Sequence, residues 1–118
     1  MEISLFCKCP TPQMVESIGI AGFDSVILDM EHTPISFETL YVCILAAKAR
    51  GINTVLRVPS ICEEYIKWGL DLGVDTIQYP YVNSVYDVDQ IKKFSYFSPV
   101  GERGLCKYVR AADFSKMD

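Results

Sequence analysis

Short apolar runs alternate with stretches of helical period along the chain, the pattern of strands alternating with amphipathic helices. Ile3 to Cys7 is a β-like run. Thr11-Pro12 opens a helix, with Thr11 as N-cap and Pro12 at the first helical position, where a missing N–H costs nothing. Val15, Ile18 and Ala21 form its inward face and Gly22 stops it. Ser25 to Leu28 is a continuous apolar run, as expected of a strand covered on both faces. Ser36 begins a second helix with Phe37, Leu40, Tyr41, Ile44 and Leu45 as its apolar stripe, ended by Gly51. Asn53 to Val58 is a third strand, closed by Pro59. Ser60-Ile61-Cys62-Glu63 has the spacing of a capping box, and the helix it opens turns Ile66 and Leu70 inward before Gly73. Asp75 to Tyr79 is a fourth strand, closed by Pro80. Asn83-Ser84 opens a fourth helix with Val85, Val88 and Ile91 inward, and from Ser98 onward the chain reads as loop.

Four strands each followed by a helix predict a parallel sheet with crossover helices. The 118 residues are 50% hydrophobic and 22% charged, which suits a globular chain and not a disordered one. Eleven Lys and Arg against fifteen Asp and Glu give a net charge of −4, with the cations scattered. No basic stripe is present for neutralising phosphates, which argues against a nucleic-acid partner. No apolar run reaches the roughly 18 residues needed to cross a bilayer, and no signal-like leader opens the chain. The expectation is a cytoplasmic protein. The five cysteines are odd in number and irregularly spaced, which favours free thiols. Cys7-Lys8-Cys9 lacks the spacing of a zinc knuckle.

Chemistry concentrates where strands end. Asp29-Met30-Glu31-His32-Thr33-Pro34 follows the second strand and Arg57 closes the third. In parallel α/β folds the loops at the carboxyl ends of strands converge on one rim. An acid pair, the sole histidine and an arginine are thereby delivered to it. His32 suits proton transfer, with a carboxylate to orient it, or a satisfied structural contact. Arg57 suits oxyanion stabilisation, or a semi-buried ion pair with Glu31. Asp29 suits the same site, or simple capping of its loop. Tyr79, Tyr81 and Tyr86 suit a pocket lining or packing, and Cys106 to Arg110 suits an anion contact or a solvated loop.

Ala21-Gly22-Phe23-Asp24, Leu28-Asp29-Met30-Glu31-His32-Thr33-Pro34 and Leu56-Arg57-Val58-Pro59 together resemble the HpcH/HpaI aldolase/citrate lyase family of metal-dependent pyruvate aldolases. The likeness continues through Ile66-Lys67, Leu70-Asp71-Leu72-Gly73, Pro80-Tyr81-Val82-Asn83 and Ser98-Pro99-Val100-Gly101-Glu102-Arg103-Gly104. Phe97 and Ser98 stand where the family usually has Tyr and Pro. The resemblance implies a (β/α)8 TIM barrel that cleaves a 4-hydroxy-2-oxo acid reversibly to pyruvate and an aldehyde. It implies a divalent cation (Mg, Mn or Co) that steadies the enolate, an oxo-acid substrate and a homo-oligomer. By motif, His32 is the base for the 4-hydroxyl proton and Arg57 binds substrate and steadies the enolate charge. Asp71 matches a carboxylate that raises the basicity of the histidine, and Asp29 an aspartate near the metal's water. Asp71 falls on a helix end expected at the rim opposite His32, which points to an interface between copies or to a different helix boundary. The family's metal ligands lie downstream of any matching segment, so no metal ligand is assigned here. Residues 1–118 are therefore expected to form the N-terminal half of the barrel, four parallel βα units and a following loop.

Three other readings stand beside this one. The first is a non-catalytic half-barrel that needs a complementary half. The second is a receiver-like signalling domain, suggested by Asp24 to Met30 but lacking an acidic pair after the first strand. The third is a Schiff-base aldolase, for which Lys8 is the only lysine near a strand end.

Overall fold

A computed structural model describes residues 1–116. Four strands, β1 (Ser4–Cys7), β2 (Ser25–Asp29), β3 (Asn53–Arg57) and β4 (Thr76–Gln78), alternate with α1 (Pro12–Ile20), α2 (Phe37–Arg50), α3 (Glu63–Leu72) and α4 (Val85–Ser95). The sheet is wholly parallel, in the order β1-β2-β3-β4. This sequential order has no point at which the winding reverses. A receiver domain, with strand order 2-1-3-4-5, reverses after its first pair, so that reading falls away.

Local chemistry explains the helix boundaries. Thr11 Oγ1 accepts the Met14 N–H at 3.2 Å with Pro12 in the first turn, and Ser36 Oγ accepts the Thr39 N–H at 3.1 Å. Ser84 and Asp87 form a reciprocal capping box on α4. Gly51 and Gly73 end α2 and α3 in the left-handed conformation that glycine adopts without penalty. The box expected at Ser60 does not form. Cys62 is the N-cap of α3 and its side chain caps nothing, so Ser60 lies a step too early to reach the free N–H groups.

Alternate residues of each strand face opposite sides. Val26, Leu28 and Leu56 face the helices and join Val15, Ile18, Leu40, Cys43, Ile44 and Ala47 in a buried core. The stripe of α2 is thus rotated from the one expected. Leu40 and Ile44 are buried as predicted, but the small residues Cys43 and Ala47 complete the seam, and Leu45 is exposed. Phe37 packs against the edge of this core, as expected, and also on α3, with its ring 4.9 Å from Trp68 and 6.0 Å from Tyr65. Ala21, expected inward, is exposed beyond the end of α1.

The inward face expected of α4 is also corrected. None of its residues is buried, and Val85 and Val88 are exposed. The helix follows the three-residue edge strand β4, so among the described residues there is sheet on one side of it only. The segment after Ser98 is more ordered than a plain loop. Glu102 N–H donates to Lys93 O at 2.7 Å and Arg103 N–H to Tyr96 O at 3.0 Å, which folds the turn back onto α4. A 3-10 segment, Arg110–Ser115, then lies against α3.

Two aspartates tie the amino-terminal rim of the sheet. Asp24 accepts the Ile3 N–H at 2.8 Å. Asp75 accepts the N–H and Oγ1 of buried Thr54, both at 2.8 Å, and pairs with Lys48 at 2.6 Å. Burial pushes the Asp75 carboxyl upward, but the Lys48 and Thr54 donors outweigh it and the net displacement is downward. This rim is bracing; the other carries the reactive groups.

Candidate active site

Parallel pairing sets the carboxyl ends of three strands side by side. Asp29 is in register with Arg57, and Cys7 with Leu28, so Lys8 comes level with Asp29. Arg57 reaches back across β2 and forks onto Asp29: Nε donates to Oδ1 at 2.9 Å and Nη2 to Oδ2 at 2.8 Å. Such a fork fixes both the position and the plane of a guanidinium. The Asp29 side chain is 0% exposed and Arg57 is 19% exposed.

Asp29 collects further donors. Oδ1 accepts the N–H groups of Glu31 at 3.0 Å and His32 at 3.3 Å, which shapes the turn that follows β2. Lys8 Nζ is ion-paired with Oδ2. The Arg57 hydrogen bonds pull the Asp29 carboxyl well below the usual carboxylate range. Burial pushes the other way, and Lys8 with the two N–H groups adds to the pull. Arg57 is correspondingly raised, first by its hydrogen bonds to Asp29.

Glu31 continues the array. Its Oε2 is 3.2 Å from Arg57 Nε and its Oε1 is 3.6 Å from His32 Nε2. The His32 side chain is 61% exposed and open to a ligand at the rim. Beneath the cations lies Phe6, on the same sheet face, with Arg57 Cζ 4.8 Å and Lys8 Nζ 5.6 Å from its ring centroid. The contacts run Lys8–Asp29–Arg57–Glu31–His32, an alternation of charge with an imidazole at one end.

The profile of the HpcH/HpaI aldolase/citrate lyase family matches residues 2–114. The chain belongs to that family. It is 31% identical over 116 residues to a pyruvate aldolase of Rhizobium etli, covering 98% of this chain and 46% of that protein. It is 32% identical over 105 residues to a 5-keto-4-deoxy-D-glucarate aldolase of Klebsiella pneumoniae, covering 89% and 41%. A solved HpcH/HpaI family protein of Burkholderia cenocepacia superposes with a TM-score of 0.91 at 28% identity, over 98% of this chain and 47% of that one. The chain thus spans less than half the length of the proteins it matches. Its four βα units are the N-terminal half of the family's (β/α)8 barrel.

Of the four residues singled out by motif in this HpcH/HpaI chain, the fold gathers Asp29, His32 and Arg57 at one rim. Asp71 is elsewhere. It lies in the last turn of α3, whose observed boundary agrees with the expected one, and accepts from Arg103 Nη2 at 2.6 Å. Arg103 is itself stacked on Phe97, 4.7 Å from guanidinium to ring. Lys8, considered in the sequence only as a nucleophile, is instead an ion-pair partner of Asp29. A sign of this was its place one residue past β1, in the same rank as Asp29 and Arg57. Phe6 gives no signal in the sequence beyond strand alternation.

HpcH/HpaI enzymes generally depend on a divalent cation. The donors present do not fit one. Among the described residues no three His, Cys, Asp or Glu side chains are grouped to hold an ion, and the oxygens of Asp29 already face protein donors. No described helix is long and apolar enough to cross a membrane.

Proposed function

We propose that residues 1–118 form a partial TIM-barrel domain carrying the proton-transfer and oxyanion-binding part of a carbon–carbon lyase. The reaction is reversible aldol cleavage of a 4-hydroxy-2-oxo acid to pyruvate and an aldehyde. The observation that carries the reading is the forked Asp29–Arg57 pair, which aims a fixed guanidinium at the rim beside an accessible imidazole. In the cleavage direction His32 takes the proton of the 4-hydroxyl, with Glu31 Oε1 3.6 Å from its Nε2. The C4–O electrons form the aldehyde carbonyl as the C3–C4 bond breaks, and that bond's pair moves toward C3 and the C2 oxygen. Arg57 faces the oxygen on which negative charge grows, a charge that is stronger in the transition state than in the ground state. A proton delivered to C3 completes pyruvate.

Asp29 meets no substrate in this scheme. It is a positioning residue whose oxygens are spent on holding Arg57 and the turn that presents His32. Asp71 acts on a histidine only across an interface between copies, which makes a homo-oligomer part of the proposal. The cytoplasm is the compartment that suits five free thiols.

The test is release of pyruvate from 4-hydroxy-2-oxo acids, followed by coupled reduction to lactate. Turnover is expected to fall roughly 10²- to 10⁴-fold in His32→Asn and about 10²- to 10³-fold in Arg57→Lys, which keeps the charge but loses the fork. Both variants are expected to keep the parent's circular dichroism. Turnover unchanged by either substitution refutes the assignment.

A further inference from the structure

Lys8 stands between two cysteines that the rim chemistry leaves unused. Cys7 and Cys9 are the only cysteines of the chain separated by a single residue. β1 ends at Cys7, and the chain bends through Lys8 and Cys9 before α1 begins. The N–H groups of Cys9 and Thr11 face the Cys7 sulfur, so the bend folds Cys9 back toward Cys7. The two thiols differ in access. Cys7 is 2% exposed and packed in the core, whereas Cys9 is exposed. Burial pushes the Cys7 thiol up, and the two N–H groups pull it only partly back. Cys7 is therefore shielded from reagents in water, while Cys9 meets them freely. An exposed thiol beside a shielded one divides the work between a sulfur that is oxidised first and a sulfur that resolves it.

Lys8 links this pair to the charge array through its ion pair with Asp29. A disulfide between residues i and i+2 closes a small ring that contains the whole backbone of the residue between them. Drawing the Cys7 sulfur off its N–H donors and onto Cys9 resets the dihedrals inside that ring, and the contact made by the end of a long side chain is lost with them. We propose that Cys7 and Cys9 are a peroxide-sensitive dithiol whose oxidation to a disulfide withdraws Lys8 from Asp29. The Cys9 thiolate attacks hydrogen peroxide, becoming a sulfenic acid and releasing hydroxide, which takes up a proton as water. The Cys7 sulfur then attacks the Cys9 sulfur, and its proton leaves with the sulfenic hydroxyl as a second water. Two thiols are oxidised by two electrons and one peroxide is reduced. The assignment stands on the turn after β1 and holds whatever reaction the rim performs.

In the experiment, reduced protein is treated with hydrogen peroxide and the remaining thiols are blocked with N-ethylmaleimide. Trypsin cuts between Lys8 and Cys9, so fragments 1–8 and 9–48 stay joined only through a disulfide. Mass spectrometry is expected to find them joined in the oxidised parent, and separate after dithiothreitol and in Cys9→Ser. Acetylation of Lys8, read in a glutamate-specific digest, is expected to quicken roughly twofold to fivefold on oxidation, as an ion pair half in water is released, with Lys67 unchanged. Absence of the joined fragments overturns the proposal. So does a joined pair that persists in Cys9→Ser, the sign of a bridge from Cys7 to Cys43. Equal acetylation of Lys8 in the two redox states overturns it as well.

Discussion

Replacing Asp29 by asparagine keeps the shape of the side chain and removes the charge on which the array is built. Asn Oδ1 still accepts the N–H groups of Glu31 and His32 and faces Arg57 Nε, now without charge assistance. At the other position an NH2 faces Arg57 Nη2 and Lys8, donor against donor. Hydrogen bonds to charged groups are worth about 1.5–3 kcal/mol. Losing the Nη2 bond outright therefore costs about 2 kcal/mol and weakening the Nε bond about 1 kcal/mol. The contact to Lys8 adds ~0–1 kcal/mol, because that side chain is half in water. The sum, about 3–4 kcal/mol, agrees with the roughly 3–5 kcal/mol seen when a buried pair loses one partner. Urea unfolding followed by the fluorescence of the single tryptophan, Trp68, measures it. With a slope of about 1.5 kcal/mol per molar, the midpoint is expected to drop by ~2 M or more. The pH dependence has a definite sign. The Asp29 carboxyl is depressed in the folded state, so its contribution is complete above the unfolded value of about 3.9 and fades as pH falls toward the folded one. The gap between parent and Asp29→Asn is therefore expected to be constant from neutral pH to about 5 and to close below about 4. A gap under about 1 kcal/mol at pH 7, or one that stays constant down to pH 2, refutes the account.

Other outcomes follow from separate parts of the molecule. A Cβ on Gly69 comes to 2.6 Å from Leu56 Cδ2. Gly69→Ala is expected to destabilise by roughly 1–2 kcal/mol, because overpacking exceeds the ~1 kcal/mol gain in helix propensity, and Leu56→Val in the same chain is expected to recover most of it in a urea melt. Mixing inactive His32→Ala and Asp71→Asn proteins is expected to restore turnover on exchange of subunits, since one hybrid interface carries both native residues; no regain argues against Asp71 acting across copies. Exposed Cys9 and Cys106 are expected to alkylate rapidly. Cys43, buried among α1, α2 and the sheet with its thiol pushed up to about 11 by that burial, is expected to react only on unfolding, as read by mass spectrometry.

Periodicity located all four strands and four helices because each segment has a clear period and a chemical stop. It located the phase of a helix less well. In α2 aromatic and aliphatic residues ring more than half the surface, so the pattern did not show that Cys43 and Ala47 complete the buried seam while Leu45 is exposed. The reverse held for α4, where Val85, Val88 and Ile91 give a proper stripe but the described fold has little to lay against it. At the site, the rank of Asp29 and Arg57 at neighbouring strand ends was legible from strand endings alone. The share Lys8 takes in Asp29 was not, because it depends on parallel register and on the reach of a long side chain, neither of which leaves a mark in a local motif.

The charge array draws all its members from the chain's opening stretch: Lys8, Asp29, Glu31, His32 and Arg57 come from β1, β2, β3 and the turns that follow them. Each of these strands pairs with the one just made. The array therefore asks only that three neighbouring strands pair in register, and β4 contributes no member to it. Its geometry is a matter of sequential pairing between adjacent strands.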